Sequence, residues 1–77
     1  MTSEELQVGA RIRVTGYHRG ERAGRQRLLA MGITPGTDFL VTRIAPFGDP
    51  VEIRIRDFSL SLRRAELSAF RGERVPS

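Results

Sequence analysis

The chain has 77 residues, thirteen basic and nine acidic, a net charge of +4 and no cysteine. A chain this short buries only roughly 60–65% of the surface its unfolded form exposes, so it supports one core and one domain, with neither a disulfide framework nor a thiolate metal site to supplement it. No segment approaches the roughly 20 apolar residues that cross a bilayer, and the acidic opening Met1–Glu5 lacks the pattern of a signal peptide, which predicts a cytoplasmic protein.

After Leu6-Gln7-Val8-Gly9, the run Arg11-Ile12-Arg13-Val14-Thr15-Gly16-Tyr17 alternates polar with apolar residues, which predicts a half-buried strand with Ile12 and Val14 inward. Gly16 to Gly24 is polar and glycine-punctuated and reads as a loop. Arg25 to Met31 are good helix formers, with Leu28 and Met31 on one face for the core. Gly32 stands where a left-handed residue closes a helix. In Ile33-Thr34-Pro35-Gly36, Pro35 pre-sets φ and Gly36 supplies positive φ, the pairing of a type II turn. Phe39 to Ile44 is rich in strand formers, and Ala45-Pro46-Phe47-Gly48-Asp49-Pro50 ends that strand in a hairpin loop. Val51 to Arg56 has apolar odd and charged even positions, the clearest strand of the chain. Asp57-Phe58-Ser59 breaks the phase at a tight turn, and Leu60 with Leu62 resumes alternation on even numbers. Arg63 to Glu66 predicts a single helical turn, Leu67 to Phe70 a closing strand, and Arg71 to Ser77 a flexible tail. The fold class expected is therefore mainly β: one domain over residues 1–77, core at about 6–70, with about five short antiparallel strands and one short helix between the first and second, closed or half-closed into a small barrel that shields its edges.

Three blocks carry a family resemblance. Arg27-Leu28-Leu29-Ala30-Met31-Gly32-Ile33-Thr34-Pro35-Gly36 resembles the RLxxMGxxPG segment of the ferrous iron transport protein A (FeoA) family, Ala45 to Pro50 resembles its APxGDP hairpin, and Leu60-Ser61-Leu62-Arg63-Arg64 resembles its LxLRRxE ending. Asp57 stands where the family pattern has glycine, and the left-handed region open to aspartate accommodates it. The resemblance implies an SH3-like barrel in the bacterial cytoplasm, acting in ferrous iron uptake by contact with ferrous iron transport protein B (FeoB), a membrane GTPase and iron permease.

The chemistry available excludes most catalysis. His18 is the only histidine, it lies in a polar loop, and the nine carboxylates show no metal-ligand spacing. No catalytic residue, metal site or cofactor is expected, beyond weak transition-metal contact shared with a partner. Gly32, Pro35, Gly36, Pro46, Gly48 and Pro50 are read as turn formers that shape a site without being its chemistry. Leu29 points away from the face of Leu28 and, with Phe47 at a hairpin tip, Asp49 and the guanidinium groups of Arg25 and Arg27, makes a candidate docking patch with an apolar centre and a polar rim. All thirteen basic residues are arginine, a choice that GC-rich codon usage explains as well as selection for anions does. The charge is scattered among acids, and Tyr17, Phe39, Phe47, Phe58 and Phe70 form no stacking row, so a nucleic-acid-binding SH3-like barrel is the runner-up. A metal-linked regulatory domain is a further alternative, disfavoured because no winged helix precedes the barrel. A homo-oligomer remains compatible with the sequence.

Overall fold

In the computed structural model, residues 6–18 and 22–76 are described, the side chains of residues 22–24 excepted. The elements in chain order are β1 (Arg11–Tyr17), α1 (Arg22–Ala30), β2 (Asp38–Ile44), β3 (Val51–Ile55), β4 (Phe58–Leu62), α2 (Arg64–Leu67) and β5 (Phe70–Val75). They form one antiparallel sheet in the order β4-β3-β2-β1-β5, so β1 lies between β2 and the last strand of the chain. Register shifts between Val14 and Gly16 on β1 and between Val41 and Arg43 on β2 bend the sheet, as bulges do where a small sheet curls.

The alternation read from sequence is what puts one face inside. Ile12 and Val14 of β1, Phe39 and Val41 of β2, Val51, Ile53 and Ile55 of β3, Leu62 of β4 and Phe70 of β5 are all buried and belong to one cluster. Each such side chain contributes about 1.5–3 kcal/mol when fully buried. Phe39 and Phe70 meet edge to face, with ring centroids 5.8 Å apart, across the width of β1. No polar or charged residue is buried among the described residues.

Helix α1 closes as its sequence predicts. The amide of Ile33 donates to Leu28 O at 2.9 Å and that of Gly32 to Leu29 O at 3.0 Å, with Gly32 at φ +86°. This is the Schellman arrangement, with Leu28 and Ile33 as its buried apolar pair. The type II turn also forms, with Thr37 N donating to Thr34 O at 3.0 Å and Gly36 at φ +93°.

Four expectations need correction. Helix α1 starts at Arg22 and not at Arg25, so Gly24 lies inside it; a helix tolerates one glycine at a cost of about 1 kcal/mol when a buried residue such as Leu28 anchors it. The left-handed residue of the β3–β4 turn is Arg56, at φ +54°, and not Asp57. A second short helix, α2, ends at Leu67, which displaces the closing strand to Phe70–Val75. The flexible tail is therefore mostly strand: residues 71–75 pair with β1 through the backbone, and backbone pairing leaves little trace in so charged a sequence.

Candidate functional site

The hairpin loop between β2 and β3 sits against α2. Gly48 N donates to Ala45 O at 2.7 Å and Ala45 N to Pro50 O at 3.1 Å, which closes the loop. The Asp49 carboxylate accepts from the Arg64 backbone amide at 2.9 Å and lies 3.7 Å from the Arg63 guanidinium. Arg64 in turn donates through Nε to Gly48 O. Asp49 thus satisfies an amide in the first turn of α2 that the helix itself leaves without a partner, and its negative charge suits that end.

Glu66 ties the other side. Its Oε1 accepts from the Arg63 backbone amide at 3.0 Å, and its Oε2 lies 3.1 Å from Arg27 Nη1. The Arg27 contact is a charge pair without hydrogen-bond alignment, since Oε2 has no hydrogen-bond partner. The chain of contacts Arg27–Glu66–α2–Asp49 locks α1, α2 and the hairpin into one platform. Phe47, 99% exposed, stands on it at the hairpin tip.

The candidate residues divide. Arg27, Asp49, Gly48 and, by position, Phe47 are brought together through α2. Leu29, 42% exposed, is two residues from Arg27 and so lies on the far side of the helix, close to the stripe of Arg25. Burial pushes the Tyr17 phenol up, and the Arg25 charge draws it partly back. The Tyr17 hydroxyl donates to Ile33 O and holds β1 to the end of α1. Pro46 and Pro50 belong to the hairpin, whereas Gly32, Pro35 and Gly36 line an open groove of about 680 Å³ with Arg11, Arg56 and Phe58.

Sequence reasoning did not find the internal roles of Asp49, Glu66 and Tyr17. Glu66 carried a signal, because an acid three residues after Arg63 has the spacing that caps a helix; the reach of Asp49 to Arg64 and of Tyr17 to Ile33 depends on the fold.

Among the described residues no group of three or more His, Cys, Asp or Glu side chains could hold a metal ion. His18 is exposed. No helix among them is long and apolar enough to cross a membrane.

The FeoA domain family matches residues 1–73. The chain is 33% identical over 76 residues to the Fe(2+) transport protein A/Fe(2+) transporter FeoB fusion protein of Porphyromonas gingivalis, a match covering 86% of this chain and 9% of the fusion protein. It thus spans about 9% of that relative's length. Its fold is similar to that of the FeoA-like protein of Clostridium acetobutylicum, with TM-score 0.85 and 31% identity over 100% of this chain and 93% of the other. It is also similar to FeoA of Stenotrophomonas maltophilia in complex with zinc, a procaryotic SH3 domain protein, with TM-score 0.74, 22% identity and coverage of 95% and 89%. That last likeness establishes the SH3-like fold.

Proposed function

The chain belongs to the FeoA domain family, and from that membership we propose that it is a small cytoplasmic accessory protein of bacterial ferrous iron uptake. It binds the cytosolic domains of FeoB and modulates or assembles that transporter, and it catalyses no reaction of its own. The observation that carries this reading is the Porphyromonas gingivalis fusion, in which a FeoA segment and the transporter share one chain. Covalent linkage keeps two partners at an effective concentration that turns a weak contact into a stable one. Iron is the partner's cargo. The donors of this chain support weak metal contact at most.

Phe47 is the proposed anchor, since aromatic side chains at the centre of a rigid patch dominate docking energies. Arg27 and Asp49 act by holding its platform, and Leu29 with Arg25, on the other side of α1, offers a second and separate contact. The test is capture of the purified cytosolic domains of FeoB by this chain. Phe47→Glu is expected to weaken capture at least tenfold, about 1.4 kcal/mol, with Leu29→Glu milder and both retaining the parent circular dichroism. Undiminished capture by both variants, or GTP hydrolysis by the isolated chain, would overturn the reading.

A further inference from the structure

The sheet ends in two strands, β4 and β5, whose outer edges have no neighbouring strand among the described residues. They differ in kind. β5 carries Arg71, Glu73 and Arg74, whereas β4, Phe58-Ser59-Leu60-Ser61-Leu62, has no ionisable residue and no proline. Its register with β3 runs unbroken from Val51↔Leu62 to Ile55↔Phe58. Soluble proteins guard an open edge with charge, proline, a bulge or a covering segment. β4 has none of the first three, Ser59 and Ser61 are exposed, and no strand among the described residues pairs with its outer edge.

Ile55 and Phe58 close a two-residue turn and so form a hydrogen-bonded pair. By alternation Leu60 and Leu62 also bond inward to β3, and Ser59 and Ser61 turn their N–H and C=O groups to the open side. On the core-side face, burial falls along the strand from Leu62, 2% exposed, to Phe58, 43% exposed. The apolar row of β4 is thus only half covered.

We propose that β4 is a dimerisation edge, on which a second copy of this chain lays its own β4 antiparallel about a two-fold axis at Leu60. In that register Ser59 and Ser61 exchange backbone hydrogen bonds with Ser61 and Ser59 of the second copy. Leu60 meets Leu60 of the second copy, and Phe58 meets Leu62 of the second copy. The same register sets Asp57 opposite Arg63 of the second copy, and by symmetry Arg63 opposite Asp57. A self-complementary strip is what an isologous interface requires. In a chain of net charge +4, a strand free of charge is also where a like-charged copy approaches at least cost. Arg63 is available, being largely exposed and only loosely paired with Asp49. An edge this short buries less than a standard interface of roughly 1,600 Å², so the dimer is concentration-dependent.

The experiment is sedimentation equilibrium of the full chain over a concentration series with chelator present, joined to amide shifts by NMR. The expected result is a mass rising from one chain towards two, with concentration-dependent shifts centred on residues 58–62. Ser61→Pro removes an outward donor and no bond to β3, and is expected to weaken association at least tenfold. Asp57→Arg is expected to weaken it as well, and Asp57→Arg combined with Arg63→Asp to restore it; this pair decides the matter if Ser61→Pro does not fold. A one-chain mass at every concentration overturns the proposal. So does association that Ser61→Pro and Asp57→Arg leave intact, or shifts confined to Phe47 or β5.

Discussion

At the scale of single residues, the side chains that titrate outside their ordinary ranges report the fold. Tyr17 is the only tyrosine, and burial raises its phenol against a smaller pull from Arg25. Its absorbance titration is expected to have a midpoint above the usual value of about 10, moving higher still in Arg25→Gln. Because the folded value is the raised one, stability is fully present below the unfolded phenol value and declines as pH climbs through the folded one. Asp38 behaves oppositely. It accepts from Arg13 Nε at 2.9 Å and from Nη2 at 3.2 Å across the β1–β2 pair, and those hydrogen bonds hold its carboxyl below the ordinary range. That contribution is present above the unfolded carboxylate value and lost as pH falls through the lowered folded one. Asp38→Asn is expected to flatten this part of the stability profile in urea titrations, and a profile unchanged by the substitution would refute the assignment. Phe47 was legible as a surface residue because it stands between two loop-forming prolines. Asp49 was legible only as part of a motif, since its bond to Arg64 spans fifteen positions.

At the scale of elements, the glycine that ends α1 is the sharpest test of local reasoning. Gly32 lies at φ +86° with nothing within 4 Å of a β-carbon built there, so Gly32→Ala meets no clash and its cost is purely conformational. That cost is about 1–2 kcal/mol, to be read as a lowered urea midpoint at unchanged slope; a midpoint within error of the parent would mean that the turn relaxes. Every strand with apolar alternation was legible from sequence, as were the helix stop and both turns around it, because each is set by residues adjacent in the chain. The start of α1 was not, since Gly24 disfavours helix and the docking of Leu28 overrides it. β5 was not legible either. Beyond Phe70, which is in the core, its hold is main-chain pairing, together with Thr15 Oγ1 donating to Arg71 O and His18 N donating to Ala69 O, and such bonds place few demands on side-chain type. The choice of Arg56 over Asp57 for the left-handed position is a property of the whole hairpin, and no residue-by-residue preference would have found it.

At the scale of the molecule, β1 is held on both sides, by β2 through Arg11↔Leu40 to Arg13↔Asp38 and by β5 from Arg11↔Val75 to Tyr17↔Phe70. Removing residues 71–77 would strip one flank of β1 and leave its backbone donors and acceptors without partners. The shortened chain is expected to lose cooperative thermal unfolding by circular dichroism, and a sharp transition near that of the parent would show β5 to be dispensable. The same topology governs how the protein comes into being at the ribosome. β1 is made before β5 and must wait for it before both its flanks are filled, so the sheet cannot be completed stepwise and closes only once β5 has emerged.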